Sequence, residues 1–119
     1  MIRLELPFPP TNNHLTTVAR GRRISSTKCR QYRSAALAAI GSRHGSPITD
    51  RLAVTVDLHA PTRAKRDIDN YVKAVLDAIT VAKIWEDDSQ IDQLVINRRP
   101  VIKGGKCIVT IQEAAEGAA

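Results

Sequence analysis

Arg63-Ala64-Lys65-Arg66-Asp67-Ile68-Asp69-Asn70-Tyr71-Val72-Lys73 joins the clearest strand of the chain to its most periodic helix, and the rest of the sequence can be laid out from it. Before it, over residues 51 to 60, Leu52, Val54, Val56 and Leu58 alternate with Ala53, Thr55, Asp57 and His59, the period of a strand with one buried face. After it, Ile68, Val72, Val75, Leu76 and Ile79 recur at helical spacing. With Asp67 as a preferred N-cap residue, they predict a helix from about 68 to 82. Asp69, Lys73 and Asp77 stand four apart on the polar side of that helix, and Asp67 and Asn70 sit at its positive end. A strand end meets a helix start here, a rigid place to hold functional groups.

Two readings compete for these charges. In the plain one, Asp67 caps, Lys73 pairs with Asp69 or Asp77 for about 0.3 to 0.5 kcal/mol, and Asp87-Asp88 is solvated loop charge. In the other, the basic residues Arg63, Lys65 and Arg66 lead into one carboxylate pair, and a second pair follows the helix in Trp85-Glu86-Asp87-Asp88. That setting suits a site that holds a hard divalent cation and a phosphate chain together.

Outward from this centre, Ile2, Leu4 and Leu6 alternate with Arg3 and Glu5 as a short strand stopped by Pro7, Pro9 and Pro10. Residues 11 to 26 are polar, and Arg20-Gly21-Arg22-Arg23 suits a loop or hairpin tip that touches DNA. Ser25, Ser26 or Thr27 can cap a helix from about 28 to 43, with Tyr32, Ala36, Ala39 and Ile40 as its apolar stripe and Gly41 and Gly45 marking its end. Strands at about 91 to 99 and 106 to 112 read as a hairpin closed by Gly104-Gly105. The sum is an α+β fold: a single mixed or antiparallel sheet of about four strands packed with two main helices, expected as one domain over 1-119.

Charge is unevenly spread. Residues 1 to 66 carry 12 Lys and Arg against 3 Asp and Glu, and residues 67 to 119 carry 6 against 9, within a formal net charge of +6. A basic surface beside an acidic cluster serves a nuclease, although a non-catalytic DNA-binding regulator would share the basic half. Cys29 and Cys107 lack metal-thiolate spacing and are expected to be reduced. No stretch has the roughly 18 apolar residues of a membrane span, so a soluble cytoplasmic protein is expected. His14, His44 and His59 show no spacing that suggests a catalytic base, and Trp85 reads as core.

Arg63-Ala64-Lys65-Arg66-Asp67-Ile68-Asp69-Asn70, Lys73, Trp85-Glu86-Asp87-Asp88 and the N-terminal Pro7-Phe8-Pro9-Pro10-Thr11-Asn12-Asn13 together resemble the signature of the RusA family of Holliday junction resolvases, small metal-dependent nucleases of bacteria and their prophages. The likeness runs in order over nearly the whole chain. Two positions depart from it: Ala64 interrupts the basic run, and Lys83 stands where a small residue or glycine is expected. The resemblance implies metal ligands at Asp67, Asp69 and Asp88 and an essential Lys73; hard oxygens select Mg²⁺ (or Mn²⁺), Asn70 is expected to orient a ligand or a metal-bound water, and Asp87 to contribute from outside the ligand set or from a partner subunit. DNA contact falls to Arg63, Lys65, Arg66, Arg20, Arg22 and Arg23. It further implies a homodimer that cuts two opposing strands of a four-way junction, the rival enzyme being a less selective Mg²⁺-dependent nuclease.

Overall fold

The computed structural model describes residues 1–12, 16–41 and 46–115, with backbone alone for Ala19, Arg23 and Ser25. The chain runs β1 (Ile2–Leu6), β2 (Thr16–Ala19), β3 (Arg22–Ser25), α1 (Thr27–Ile40), β4 (Leu52–His59), α2 (Lys73–Val81), β5 (Ile91–Arg99) and β6 (Lys106–Glu113). β1, β6, β4 and β5 form one mixed sheet in that order. β4 is antiparallel to β6 and parallel to β5, and β6 is antiparallel to β1. Leu4, Leu6, Leu52, Val54, Val56, Leu58, Cys107, Val109 and Ile111 come from alternate positions, so the pleat turns all of them to one buried face. Cys29, Tyr32 and Ala36 of α1, Ala74, Val75, Ala78 and Ile79 of α2, and Tyr71, Ile84 and Trp85 on either side of α2 pack against it. Ala39 does not join them; it faces solvent, and Leu37 and Ile40 are half-buried instead.

Local chemistry explains the element ends. Ser26 caps α1 by accepting the Cys29 N–H at 3.0 Å, and Gly41, at φ 74, ends it with its N–H on the Leu37 carbonyl. β2 and β3 form a hairpin whose two turn residues, Arg20 and Gly21, both have positive φ, as the twist of adjoining strands favours. Asn13, His14, His44 and Gly45 lie outside the described residues.

Two expectations fail. The helix expected over 68–82 is broken into a 3₁₀ turn, Ile68–Tyr71, and α2. Ile68 and Tyr71 are three apart, so the tighter turn stacks both against the core, which an α-turn would splay. The hairpin expected between β5 and β6 is absent, because β4 lies between them. α2 is a crossover that returns the chain to the same end of the sheet, which makes β5 parallel to β4. β6 buries a residue at every second position, as a central strand should, while β5 is largely exposed and takes the edge. Gly104-Gly105 therefore turns a chain that crosses the end of β4. Gly105, at φ 76, would bring a Cβ to 2.7 Å from Phe8 Cβ, so only glycine fits.

Candidate active site

The basic stretch leaves β4 at His59 and lies across the ends of β4 and β5. Arg98, near the end of β5, donates from Nη2 to the Arg66 carbonyl at 2.7 Å. Arg66 is folded back on its own loop, donating to the Thr62 carbonyl at 2.9 Å, the Ala64 carbonyl at 3.2 Å and Thr62 Oγ1 at 3.1 Å. Its guanidinium also lies 5.8 Å from the centre of the Phe8 ring. Arg63 and Lys65 are exposed beside it, as phosphate contacts require.

Asp67 precedes the 3₁₀ turn with extended backbone, and its carboxylate makes no capping bond there. Asp67 and Asp69 are both exposed, which leaves their oxygens available. Asn70, half-buried, donates its N–H to the Asp67 carbonyl at 3.1 Å and holds the turn closed. Asn12 Nδ2 donates to the Asp69 carbonyl at 3.4 Å and joins the proline-rich N-terminal segment to the same turn. Its Oδ1 is buried and meets no donor among the described residues, an acceptor left over in the side chain that reaches this turn. Lys73 opens α2 and is exposed, with its Nζ 3.9 Å from Asp77 Oδ2, a loose pair that leaves the ammonium free to turn to a phosphate.

Asp87 and Asp88 stand elsewhere. Asp87 caps a second 3₁₀ turn, Asp88–Gln90, that leads into the start of β5. Bonding from Ser89, whose N–H is 3.0 Å away, holds the Asp87 carboxyl below the usual carboxylate range. Gln90 anchors this turn to the far end of the sheet: its Oε1 accepts the Glu86 and Asp87 N–H groups, and its Nε2 donates to the Ile48 and Asp50 carbonyls. β4 and β5 pair from Leu52 with Ile91 to His59 with Arg99. The Arg66–Asp69 loop is thus tied to one end of β5, and the Asp87–Gln90 turn precedes the other. Eight residues at about 3.3 Å each put those strand ends roughly 25 Å apart. Among the described residues, no three His, Cys, Asp or Glu side chains come together as a metal site. Hard carboxylate oxygens suit Mg²⁺ in kind, but Asp67, Asp69 and Asp88 of one chain do not fit one ion.

The remaining expected residues are spread out. Arg20 and Arg22 are exposed at the turn of the β2–β3 hairpin, and for Arg23 only the backbone is described. His59 Nδ1 is 2.8 Å from the Pro100 carbonyl, which a ring N–H satisfies, so this histidine has a structural partner. Trp85 is 0% exposed and donates from Nε1 to Thr80 Oγ1, a core residue and no platform for a base. Lys83 has φ 63, the left-handed backbone for which the glycine of the expected pattern is suited.

Sequence reading missed Arg98 and Arg99. The pair was visible as charge at a strand end, but only the parallel pairing of β5 with β4 sets it against the basic loop. There it helps line a cleft of about 220 Å³ with Phe8, Ile68, Tyr71 and Val101. Arg99 Nε donates to Asp57 Oδ1 at 2.9 Å. Among the described residues no helix is long and apolar enough to cross a membrane.

Comparison with known proteins identifies the family. The family model described as endodeoxyribonuclease RusA matches residues 7–112. The crossover junction endodeoxyribonuclease of Enterobacteria phage 82 is 36% identical over 111 residues, covering 92% of both chains. Those of Escherichia coli K12 and Escherichia coli O139:H28 are 34% and 33% identical, over 92% and 95% of both chains. With a match that runs from the proline-rich segment through both aspartate pairs into β6, the chain belongs to the RusA family of endodeoxyribonucleases.

Proposed function

We propose that the protein is a structure-selective endodeoxyribonuclease that resolves four-way DNA junctions by hydrolysing phosphodiesters on two opposing strands. The observation that carries this is the juxtaposition of the exposed Asp67 and Asp69 with Arg63, Lys65 and Arg66 at one end of the sheet, in a chain of this family. Arginines and lysine attract and position the backbone, and their affinity is independent of sequence. Lys73, exposed at the start of α2, would supply an ammonium to the charge that develops on the phosphoryl oxygens. The carboxylates are hard donors of the kind that select Mg²⁺, with Mn²⁺ as a substitute.

A homodimer reconciles the divided carboxylates. The outer edge of β5 pairs with no described strand, and Leu94 and Val95, on opposite faces of it, are 40% and 38% exposed. The strand is acidic at its start, Asp92, apolar in its middle, and basic at its end, Arg98-Arg99. Two copies paired antiparallel about Val95 set each Asp92 opposite a partner's Arg98 and the apolar centres together. The same pairing carries the partner's Asp87 and Asp88 toward this chain's Asp67 and Asp69. Two equivalent sites related by a two-fold axis then match a two-fold junction.

The test compares a synthetic four-way junction with matched duplex, with and without Mg²⁺. Paired incisions in the junction alone, only with Mg²⁺, are expected; binding with no incision under any condition identifies a non-catalytic DNA-binding module. Asp69→Asn should slow cleavage at least 100-fold and leave junction affinity within a few fold. An equal loss of affinity would count against the assignment.

A further inference from the structure

We infer that the cleft at the ends of β4 and β5 binds one unstacked nucleobase of the DNA, resting on the nuclease reading above and adding a substrate subsite to it. Its floor is apolar and aromatic: Phe8, Leu58, Ile68 and Tyr71. The Phe8 and Tyr71 rings lie 5.1 Å apart, tilted by 47°, and Tyr71 is buried behind Phe8. Above this floor the rim is made of Arg63, Arg66, Arg98 and Arg99, and no carboxylate lines the cleft. A purely phosphate-binding surface has no use for an aromatic floor, and an apolar ligand has no use for a rim of guanidinium groups. A nucleotide uses both: the base has π-faces that stack on aromatic rings, and the phosphates on either side meet the cations.

The geometry is set in advance of binding. Three hydrogen bonds to Thr62 and Ala64 hold Arg66 against Phe8, and the Arg98 bond to the Arg66 carbonyl holds the loop to β5. Arg63 makes no bond to a described residue and is free to follow the strand. Asp67 is the next residue after Arg66, so the cleft rim and the first carboxylate are one residue apart along the chain. Bases at a branch point have lost stacking on one side and leave the helix at least cost, which links this subsite to junctions rather than to uninterrupted duplex.

The experiment uses the full-length protein in EDTA with junctions that carry 2-aminopurine singly at positions flanking the crossover. Binding is expected to raise the fluorescence at one position per arm pair and to leave the others unchanged. Val101→Trp, which fills the cleft from its exposed rim and leaves the core untouched, should abolish that rise and weaken junction binding roughly tenfold. Its melting temperature serves as the control for folding. An absence of any rise in the parent, or an equal rise in the variant, overturns the subsite. Junction cleavage by the parent with Mg²⁺ is scored separately: if it persists, only the subsite has failed, and if it is absent the nuclease reading has failed as well.

Discussion

Lys83 holds a left-handed backbone at φ 63 between α2 and the buried Ile84-Trp85 pair, where its Cβ crowds the following carbonyl. Lys83→Gly removes that strain but adds freedom to the unfolded chain, leaving a net gain of about 0.5 to 1 kcal/mol. Calorimetry should show the midpoint rising by a few degrees, and an unchanged or lower midpoint contradicts the strain. Cys107 gives a second prediction at this scale. Burial, reinforced by the Asp57 carboxylate, pushes its thiol from an ordinary value near 9 up to about 12, and burial likewise raises Tyr32. A folded value above the unfolded one means that the unfolded chain loses its proton first. The associated stability is complete below pH 9 and is lost as pH rises toward 12, at up to about 1.4 kcal/mol per pH unit for each group. Urea titrations from pH 7 to 11 should show the fall beginning near pH 9, and Cys107→Val should make it shallower.

At the scale of elements, the Asp88–Gln90 turn depends on one side chain. Gln90 is 7% exposed and satisfies two N–H groups and two carbonyls that join the start of β5 to residues 48 to 50. Gln90→Ala leaves these groups without partners, at about 3 kcal/mol or more, and should lower the melting midpoint by over 10 °C. A change under 1 kcal/mol would mean that water replaces the amide without loss. By contrast, the Asp67 side chain makes no capping bond. Asp67→Asn should therefore abolish cleavage and leave the midpoint within a degree or two.

For the whole molecule, the separated carboxylate pairs predict that neither chain is active alone. Asp69→Asn and Asp88→Asn proteins, each inactive, should regain nicking when mixed and re-equilibrated, because one of the two sites in a mixed dimer keeps both intact contributions. A site contained in one chain gives no such rescue. Val95→Lys, at an exposed position of the edge strand, should cost under about 0.5 kcal/mol in the monomer, yet shift the scattering mass from two chains to one and remove cleavage with it.

The alternation of β4, the apolar faces of β1, β6 and α2, an aspartate pair beside a basic run and a second pair after the helix were all legible in the sequence, because periodicity and local chemistry are written in neighbouring residues. The odd placement of Lys83 was legible too, and its positive φ gives the reason. Longer-range relations were not. Sequence spacing made β5 and β6 a hairpin, whereas the preference of the most regularly apolar strand for the centre of the sheet inserted β4 between them. That single choice, together with the α2 crossover, made β5 parallel to β4. It set Arg98 against Arg66 and carried Asp88 to the opposite end of the sheet from Asp69. Residue types named the chemistry, and tertiary packing decided which of those residues could meet within one chain, since strand order depends on burial summed over all neighbours and not on any one stretch.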